Sequence, residues 1–574
     1  MDYPLSHCLS TLGFSCTGGF PAATLVFRPK RSFLLSSQRG HLLITLNLPR
    51  CLNRLHGQSV ELEPKKVVVV GGGWAGFGAA HALTKAGCSV TLLDAAASVG
   101  GLSTGFRTAQ GRPVEAGVKG FWWQYHNIFQ LVKELSIPSP FTDWTKSSFY
   151  SPEGIDVEAP IFSSLPRLPT PLGSFLYTTP LFRKLPIFDR LTALPLVQAL
   201  IEFDTDMEIY NHYDQMTARE LFRKAGVSKQ LYHEFLEPVL FITLFAPAEQ
   251  LSAAATLGAL YYYVLAHQPD FDVCWCKGSI VDVIFKPWVK SIEHLGGRVL
   301  GGRRVQDVIM SSDATSVTSV IAANPLGEME IFEADAVIFA VGVEALKKII
   351  VSSNALSGRQ EFAAATNIGT IDVLASRIWF DCRVPLRNPS NVLSGFEAGS
   401  GGTLFDLNAL QTEFAQETGS VVEVDIFHAN SLIPLKDKAI VQRILEKYLQ
   451  RCDARYKNAK VVDYSVLRFK NAVTLFGPNC HQYMPTTSTS FHNVFMAGDW
   501  LQQGPGSHGA RGLSQEKAYV TGLQAANAVS EKLGISFRAK ILNVEPDEIH
   551  IAAAKYVRKY LWNESHRWNR QLFL

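Results

Sequence analysis

The 574-residue chain contains no uninterrupted apolar run long enough for a bilayer-spanning helix. Its longest runs, 238–248 and 251–266, fall short of the roughly twenty residues a span needs. Glu249 and Gln250 separate them, and both are expected as buried helices. Cysteine pairing is also missing. Nine cysteines are present, three of them (Cys8, Cys16, Cys51) in the first sixty residues, and the only close pair is Cys274-Trp275-Cys276. A lone C-x-C lacks the second pair that a zinc site needs, and a disulfide between i and i+2 would be strained, so no metal site is expected. No Ser-His-Asp or Cys-His arrangement stands out.

Acid is scarce at the N-terminus. Residues 1–60 hold six Lys or Arg against the single acid Asp2, which leaves 48 basic and 50 acidic residues in the remainder. The formal charge of +3 therefore belongs to the leader, and the near-neutral body offers no electrostatic case for nucleic acid. The leader lacks a compact apolar core with a small-residue cleavage site, which argues against a secretory signal. An acid-poor segment with scattered Ser, Thr and Arg reads as an organelle transit peptide. Its basic residues mark out no amphipathic helix, so chloroplast is favoured over mitochondrion, with a disordered tail as the alternative.

Against these absences stands one dense signal, residues 66–101. An apolar run, 67–70, flows into Gly71-x-Gly73-x-x-Gly76, an Ala/Leu-rich helix follows, and a second apolar strand ends at Asp94. Gly71 permits a tight turn, Gly73 leaves the pyrophosphate unobstructed, and Gly76 lets helix and sheet pack closely. The pyrophosphate would rest on the free N–H groups of the helix N-terminus. Asp94 has the place and charge to accept hydrogen bonds from ribose hydroxyls.

Asp94-Ala95 followed by Gly100-Gly101 resembles the E-A-x-x-x-x-G-G signature of the flavoprotein amine oxidase and phytoene desaturase superfamily. Asp replaces the usual Glu, and Leu102 stands where many members carry Arg. A second match lies about four hundred residues on, where the segment 493–500 ends in Gly498-Asp499-Trp500 and precedes Ser514-Gln515-Glu516-Lys517-Ala518. It resembles the family's closing N-V-F-x-A-G-D and M-E-x-A-V-x-S-G elements. The resemblance implies FAD, with a helix N-terminus facing the flavin N1–C2=O edge. It further implies adenine contact at Val305 and close approach at Gly342. Cofactor contacts are accordingly expected at Gly71, Gly73, Ala75, Gly76, Asp94, Gly100, Gly101, Val305, Gly342, Gly498, Asp499, Lys517 and Ala518.

The middle of the chain is similar to carotenoid desaturases of plants and cyanobacteria. The segment 115–127 matches their G-x-H-x-F-x-x-x-Y-x-N motif, with Lys119 replacing the histidine, ahead of a helix expected over 128–137. Lys119 is one catalytic candidate and His508, between Gly506 and Gly509, the other; a solvated loop lysine and a plain loop histidine are the bland readings. Seven prolines across 160–200 predict short apolar pieces joined by turns, which with Arg167, Arg183, Lys184 and Arg190 suit a membrane interface or interdomain packing. Thr217 with Glu220 predicts a capping box, and Met216 with Leu221 a hydrophobic staple.

The expected fold is α/β: a glutathione-reductase-type, Rossmann-like FAD domain with an inserted α+β substrate domain. The predicted division is leader 1–60, FAD segments 61–159, 274–345 and 463–533, substrate segments 160–273 and 346–462, and a helical extension 534–574. The resemblance implies an oxidoreductase taking hydride from a lipophilic polyene or isoprenoid to flavin N5, with quinone as acceptor and peripheral membrane contact. The alternatives are a flavin amine oxidase, a reduced-flavin cis–trans isomerase, and a non-catalytic FAD-binding assembly protein.

Overall fold

The computed structural model describes residues 24–27, 33–37, 40–44 and 63–565, in two units that divide after Glu63. In the first unit, Thr24–Phe27, Phe33–Ser37 and Gly40–Ile44 form a three-stranded antiparallel sheet. The transit-peptide reading otherwise falls outside the described residues.

The second unit is built on a five-stranded, wholly parallel sheet. Its strands are β1 (Lys66–Val70), β2 (Ser89–Leu93), β3 (Arg298–Leu300), β4 (Ala336–Phe339) and β5 (Val494–Met496). The order is β3-β2-β1-β4-β5. Parallel strands covered on both faces read as continuous apolar runs, and Val67, Val68, Val69 and Val70 are all buried. Helix α1 (Trp74–Lys85) is buried from Trp74 to Thr84. It lies against helix α2 (Gln515–Lys532), where Gly522 approaches so closely that a Cβ there would sit 2.1 Å from the Ala75 carbonyl oxygen. An antiparallel meander, Arg304–Met310, Val317–Ala323 and Met329–Glu333, follows β3.

A seven-stranded mixed sheet forms the second layer, in the order Gly154–Ala159, Ser147–Ser151, Ser390–Glu397, Ser400–Asp406, Val421–Phe427, Gly369–Phe380, Val461–Leu475. Two sequence boundaries need correction here. Residues 147–159, assigned to the first FAD segment, are the outer strands of this sheet. The strand Val461–Leu475, placed largely in the last FAD segment, is its other edge. Both pair with residues distant in sequence, as in Ser147 with Ser390 and Gly369 with Leu475.

The proline-rich stretch forms short helices, as expected: Leu172–Thr178, Ile187–Leu191 and Leu194–Glu202. Thr217 and Glu220 form a complete capping box. The helix predicted over 128–137 runs His126–Glu134. Cys274 and Cys276 are buried free thiols, Cys274 in the strand Val273–Trp275 and Cys276 just beyond it in a bridge to Phe141, and burial pushes Cys274 up to about 12. Among the described residues no helix is long and apolar enough to cross a membrane, and no cluster of His, Cys, Asp or Glu could hold a metal.

Candidate functional site

The turn between β1 and α1 is assembled by backbone. Gly71 has φ +109°, a conformation that L side chains avoid, and its N–H donates to the Leu93 carbonyl at 2.8 Å. A Cβ on Gly76 would lie 1.8 Å from the Gly71 carbonyl oxygen, so helix and turn touch without room for a methyl. Gly73 differs: the only atom within 4 Å of its Cβ position is Gly101 Cα, at 3.9 Å. Its missing side chain leaves open space rather than relieving a clash. Gly73 is also the N-cap of α1, with no side-chain cap and no acid in the first turn. Unpaired N–H groups, a positive dipole end and open space above them suit a diphosphate.

Gly100 (φ +129°) donates its N–H to the Gly72 carbonyl at 2.7 Å, tying the second glycine loop onto the turn. The Asp94 carboxylate accepts from the N–H of Gly72 at 2.6 Å and of Ala96 at 2.7 Å. A carboxylate has about four acceptor positions, so Asp94 retains capacity for ribose hydroxyls after holding the loop. Burial raises its pKa, against the pull of the two amides and Arg304.

Two strands along from β1, the carboxyl end of β5 leads into α2. Gly498 (φ +152°) donates its N–H to Thr521 Oγ1 at 2.9 Å, and the Trp500 indole donates to the Val341 carbonyl at 2.9 Å. These bonds bring the ends of β4 and β5 together beside Gly342, the N-cap of helix Val343–Ser352. Ser514 caps α2 by accepting from Lys517 N–H at 3.2 Å. Glu516, fully buried, accepts from Asn127 N–H and Nδ2 (2.8 and 2.7 Å) and from Ile128 N–H (3.0 Å). Burial pushes it up to about 7 despite these donors. Val305 is buried in the meander's first strand, and Ala518 follows Lys517 on α2.

A family model described as flavin containing amine oxidoreductase matches residues 74–530. The chain belongs to that family. It is 24% identical over 447 residues to a 15-cis-phytoene desaturase, chloroplastic/chromoplastic, of an Oncidium hybrid cultivar, covering 77% of this chain and 74% of that one. It is 23% identical over 483 residues to a zeta-carotene desaturase of Synechocystis, covering 81% and 97% respectively. Its fold is that of cyclohexylamine oxidase from Brevibacterium oxydans, with a TM-score of 0.58, 14% identity and coverage of 82% and 100%. The cofactor of this family is FAD, and the chain is an FAD-dependent oxidoreductase. The glycine turn, the uncapped N-terminus of α1 and the spare capacity of Asp94 fit the dinucleotide.

The two catalytic candidates have different surroundings. Lys119 donates to the Ala116 and Gly117 carbonyls and faces Asp425, Glu115 and Glu423. Arg377 joins them, bonded to Glu423 and to the Pro113 carbonyl at 2.8 Å. Burial lowers the Lys119 pKa, and the carboxylates oppose it. Burial drives Asp425 well above the usual carboxylate range. Lys119 is therefore a member of a buried charge network between the FAD domain and the seven-stranded sheet. It is not a solvated loop lysine.

His508 has both ring nitrogens engaged by backbone. Nε2 donates to the Leu542 carbonyl at 2.8 Å, and Nδ1 accepts from Ala510 N–H at 3.3 Å. Its geometry is that of a staple for the C-terminal segment, as the plain loop-histidine reading expects. That segment also carries Val544 against Gly509, and Glu545 bonded to Trp123 Nε1 at 2.9 Å. Nothing in its local pattern announced this docking. Glu516 and Asn127 were missed as well, although Glu516 stands inside the matched closing motif.

Proposed function

We propose that this oxidoreductase takes hydride from a C–H of a lipophilic polyene or isoprenoid collected at a membrane surface, with a quinone as final acceptor and a plastid as its location. The observation carrying this reading is the exposure of large apolar side chains on three consecutive short helices: Leu172, Leu176, Ile187, Phe188, Leu191 and Leu194 are all exposed, Phe188 by 80%. Large exposed apolar side chains concentrated in one short stretch of chain favour a binding surface. The surrounding cations contribute less than the sequence promised. Arg190 is buried, its guanidinium over the Phe175 and Phe182 rings at 4.2 and 4.8 Å. Arg167 and Arg183 are paired with Glu545 and Glu158. The desaturase relatives supply the substrate class. The chain's part in the chemistry would be to orient the reacting bond, exclude water and hold charge beside the flavin.

A second reading, amine oxidation, is favoured by one feature. A cavity of about 550 Å³ is walled by Tyr261, Tyr262, Asp204, Asp270 and Asp547, and the buried Tyr262 hydroxyl has no hydrogen-bond partner. Aromatic faces with carboxylates suit a cation; here Lys555 takes that place, paired with Asp204 and Asp547 and over the Tyr261 ring at 4.1 Å, so a substrate amine would have to displace it. Anaerobic mixing of the FAD-loaded protein with carotenes, then with polyamines, separates the two. Flavin bleaching by a carotene supports the first reading and bleaching by a polyamine the second. Isomer conversion without net bleaching assigns isomerisation, and persistent yellow with every substrate leaves a non-catalytic flavoprotein.

A further inference from the structure

Lys517 and Glu516 are neighbours on the first turn of α2, yet their side chains part company. Glu516 turns to Asn127 and Ile128, while the Lys517 amine donates to the Leu501 carbonyl at 3.2 Å and lies 5.5 Å from the centre of the Phe476 ring. Lys517 is only 2% exposed. Among the described residues its amine makes no ion pair within 4 Å. The carboxylate acting on it most strongly is Asp499, at the Gly498 turn, and Arg511 opposes that effect. Asp214 is already committed, accepting from Ser252 Oγ at 2.7 Å and His481 N–H at 3.2 Å. A cavity of about 20 Å³ beside the amine, walled also by Arg511, His481, Asp214 and Tyr210, has room for one water.

An ammonium withdrawn from water needs a counter-charge to offset the several kcal/mol of lost hydration. One carbonyl and one ring face do not provide it, and Asp499 does so only at a distance. The Gly498-Asp499 turn leaves β5 at the same carboxyl edge of the parallel sheet as the Gly71 turn leaves β1, the edge where a dinucleotide lies, and α2 follows that turn. We propose that Lys517 is the counter-charge of the reduced flavin: its ammonium favours the negatively charged reduced ring, and Asp499 opposes it, so the two together set the reduction potential of the bound FAD. Hydride uptake delivers two electrons and one proton, so the ring gains one negative charge, which one ammonium matches. This acts in the same sense as the N-terminal dipole of α2.

Burial pushes Lys517 down to about 7, and Asp499 counteracts this; Asp499 itself is pushed up to about 6 by burial. The other groups facing the amine are Arg511, His481, Asp214, Tyr210 and Cys480. The effect of Lys517 on the potential therefore weakens as the pH rises past neutrality and its amine loses the proton.

The inference rests on FAD binding, and its test keeps the two separable. Midpoint potentials of the FAD-loaded protein are measured by dye equilibration for wild type, Lys517→Met, Lys517→Arg and Asp499→Asn, with bound FAD quantified from the visible spectrum. Lys517→Met is expected to shift the oxidised-to-reduced equilibrium at least tenfold toward oxidised, about 30 mV for a two-electron couple. Lys517→Arg should restore most of it, and Asp499→Asn should move the midpoint upward. A midpoint unchanged in Lys517→Met overturns the proposal. If that variant does not fold, an unchanged or lowered midpoint in Asp499→Asn overturns it instead. A wild-type protein that takes up no FAD at all refutes the cofactor assignment, which is a different failure.

Discussion

The Asp94 carboxylate grips the amide of Gly72 at 2.6 Å, so the end of β2 holds the phosphate turn that follows β1. Its second oxygen takes Ala96 N–H at 2.7 Å. Hydrogen bonds to charged groups contribute roughly 1.5–3 kcal/mol. Asp94→Ala should therefore weaken FAD binding at least tenfold, by about 1.4 kcal/mol, and Asp94→Asn by less, because one acceptor oxygen remains. Titration of apoprotein with FAD, followed by flavin fluorescence, measures both.

Gly73 and Gly76 should fail in different ways. Gly76→Ala places a methyl 1.8 Å from a backbone oxygen, so loss of folded protein is expected. Gly73→Ala meets nothing closer than 3.9 Å and should fold with an unchanged melting temperature, yet lose FAD because its methyl occupies the open space above α1. Thermal melts of both apoproteins, paired with FAD titration, check this. A Gly73→Ala variant that binds FAD as wild type does would place the pyrophosphate elsewhere.

Glu516 should make stability fall with rising pH. Its folded pKa of about 7 lies above the ordinary value of 4.5, so the folded state holds the extra proton between these pH values. Stability rises with pH only where the unfolded chain binds more protons; here the sign is reversed. The contribution is full below about pH 4.5 and is lost as pH climbs through 7. Urea melts of wild type and Glu516→Gln from pH 4.5 to 8 should show their difference shrinking in favour of the variant. A difference independent of pH would contradict this.

The two charged candidates separate in a stability assay. Lys119→Met leaves Asp425, Glu423 and Glu115 facing Arg377 alone, and breaking such a buried network costs about 3–5 kcal/mol. His508→Ala removes two backbone contacts and should cost about 1–3 kcal/mol, while the rate of flavin reduction by substrate stays within twofold. A hundredfold slower reduction in His508→Ala would return that residue to the chemistry.

Phe188→Asp and Leu194→Asp alter exposed positions and should change stability by no more than about 0.5 kcal/mol. Each should lower the fraction of protein that co-sediments with lipid vesicles. Unchanged co-sedimentation in the double variant would remove the membrane surface from the proposed function.

What could be read without coordinates was whatever a few neighbouring residues decide together. The glycine spacing of the turn, the apolar runs of β1 and β5, the Thr217–Glu220 box and the Ser514 cap all follow from local backbone geometry and periodicity. The closing motif placed α2 for the same reason. Pairing and burial over long separations were not legible. Residues 147–159 join the seven-stranded sheet because Ser147 meets Ser390, a partner that no local pattern names. Lys119 lies among carboxylates from strand Val421–Phe427, and His508 is spent on Leu542, for the same reason. The sequence on its own determined that a dinucleotide turn is present and which segments build it. Tertiary structure alone decided which charges are buried together, because the cost of desolvating an ion depends on every chain segment around it, near or far in sequence.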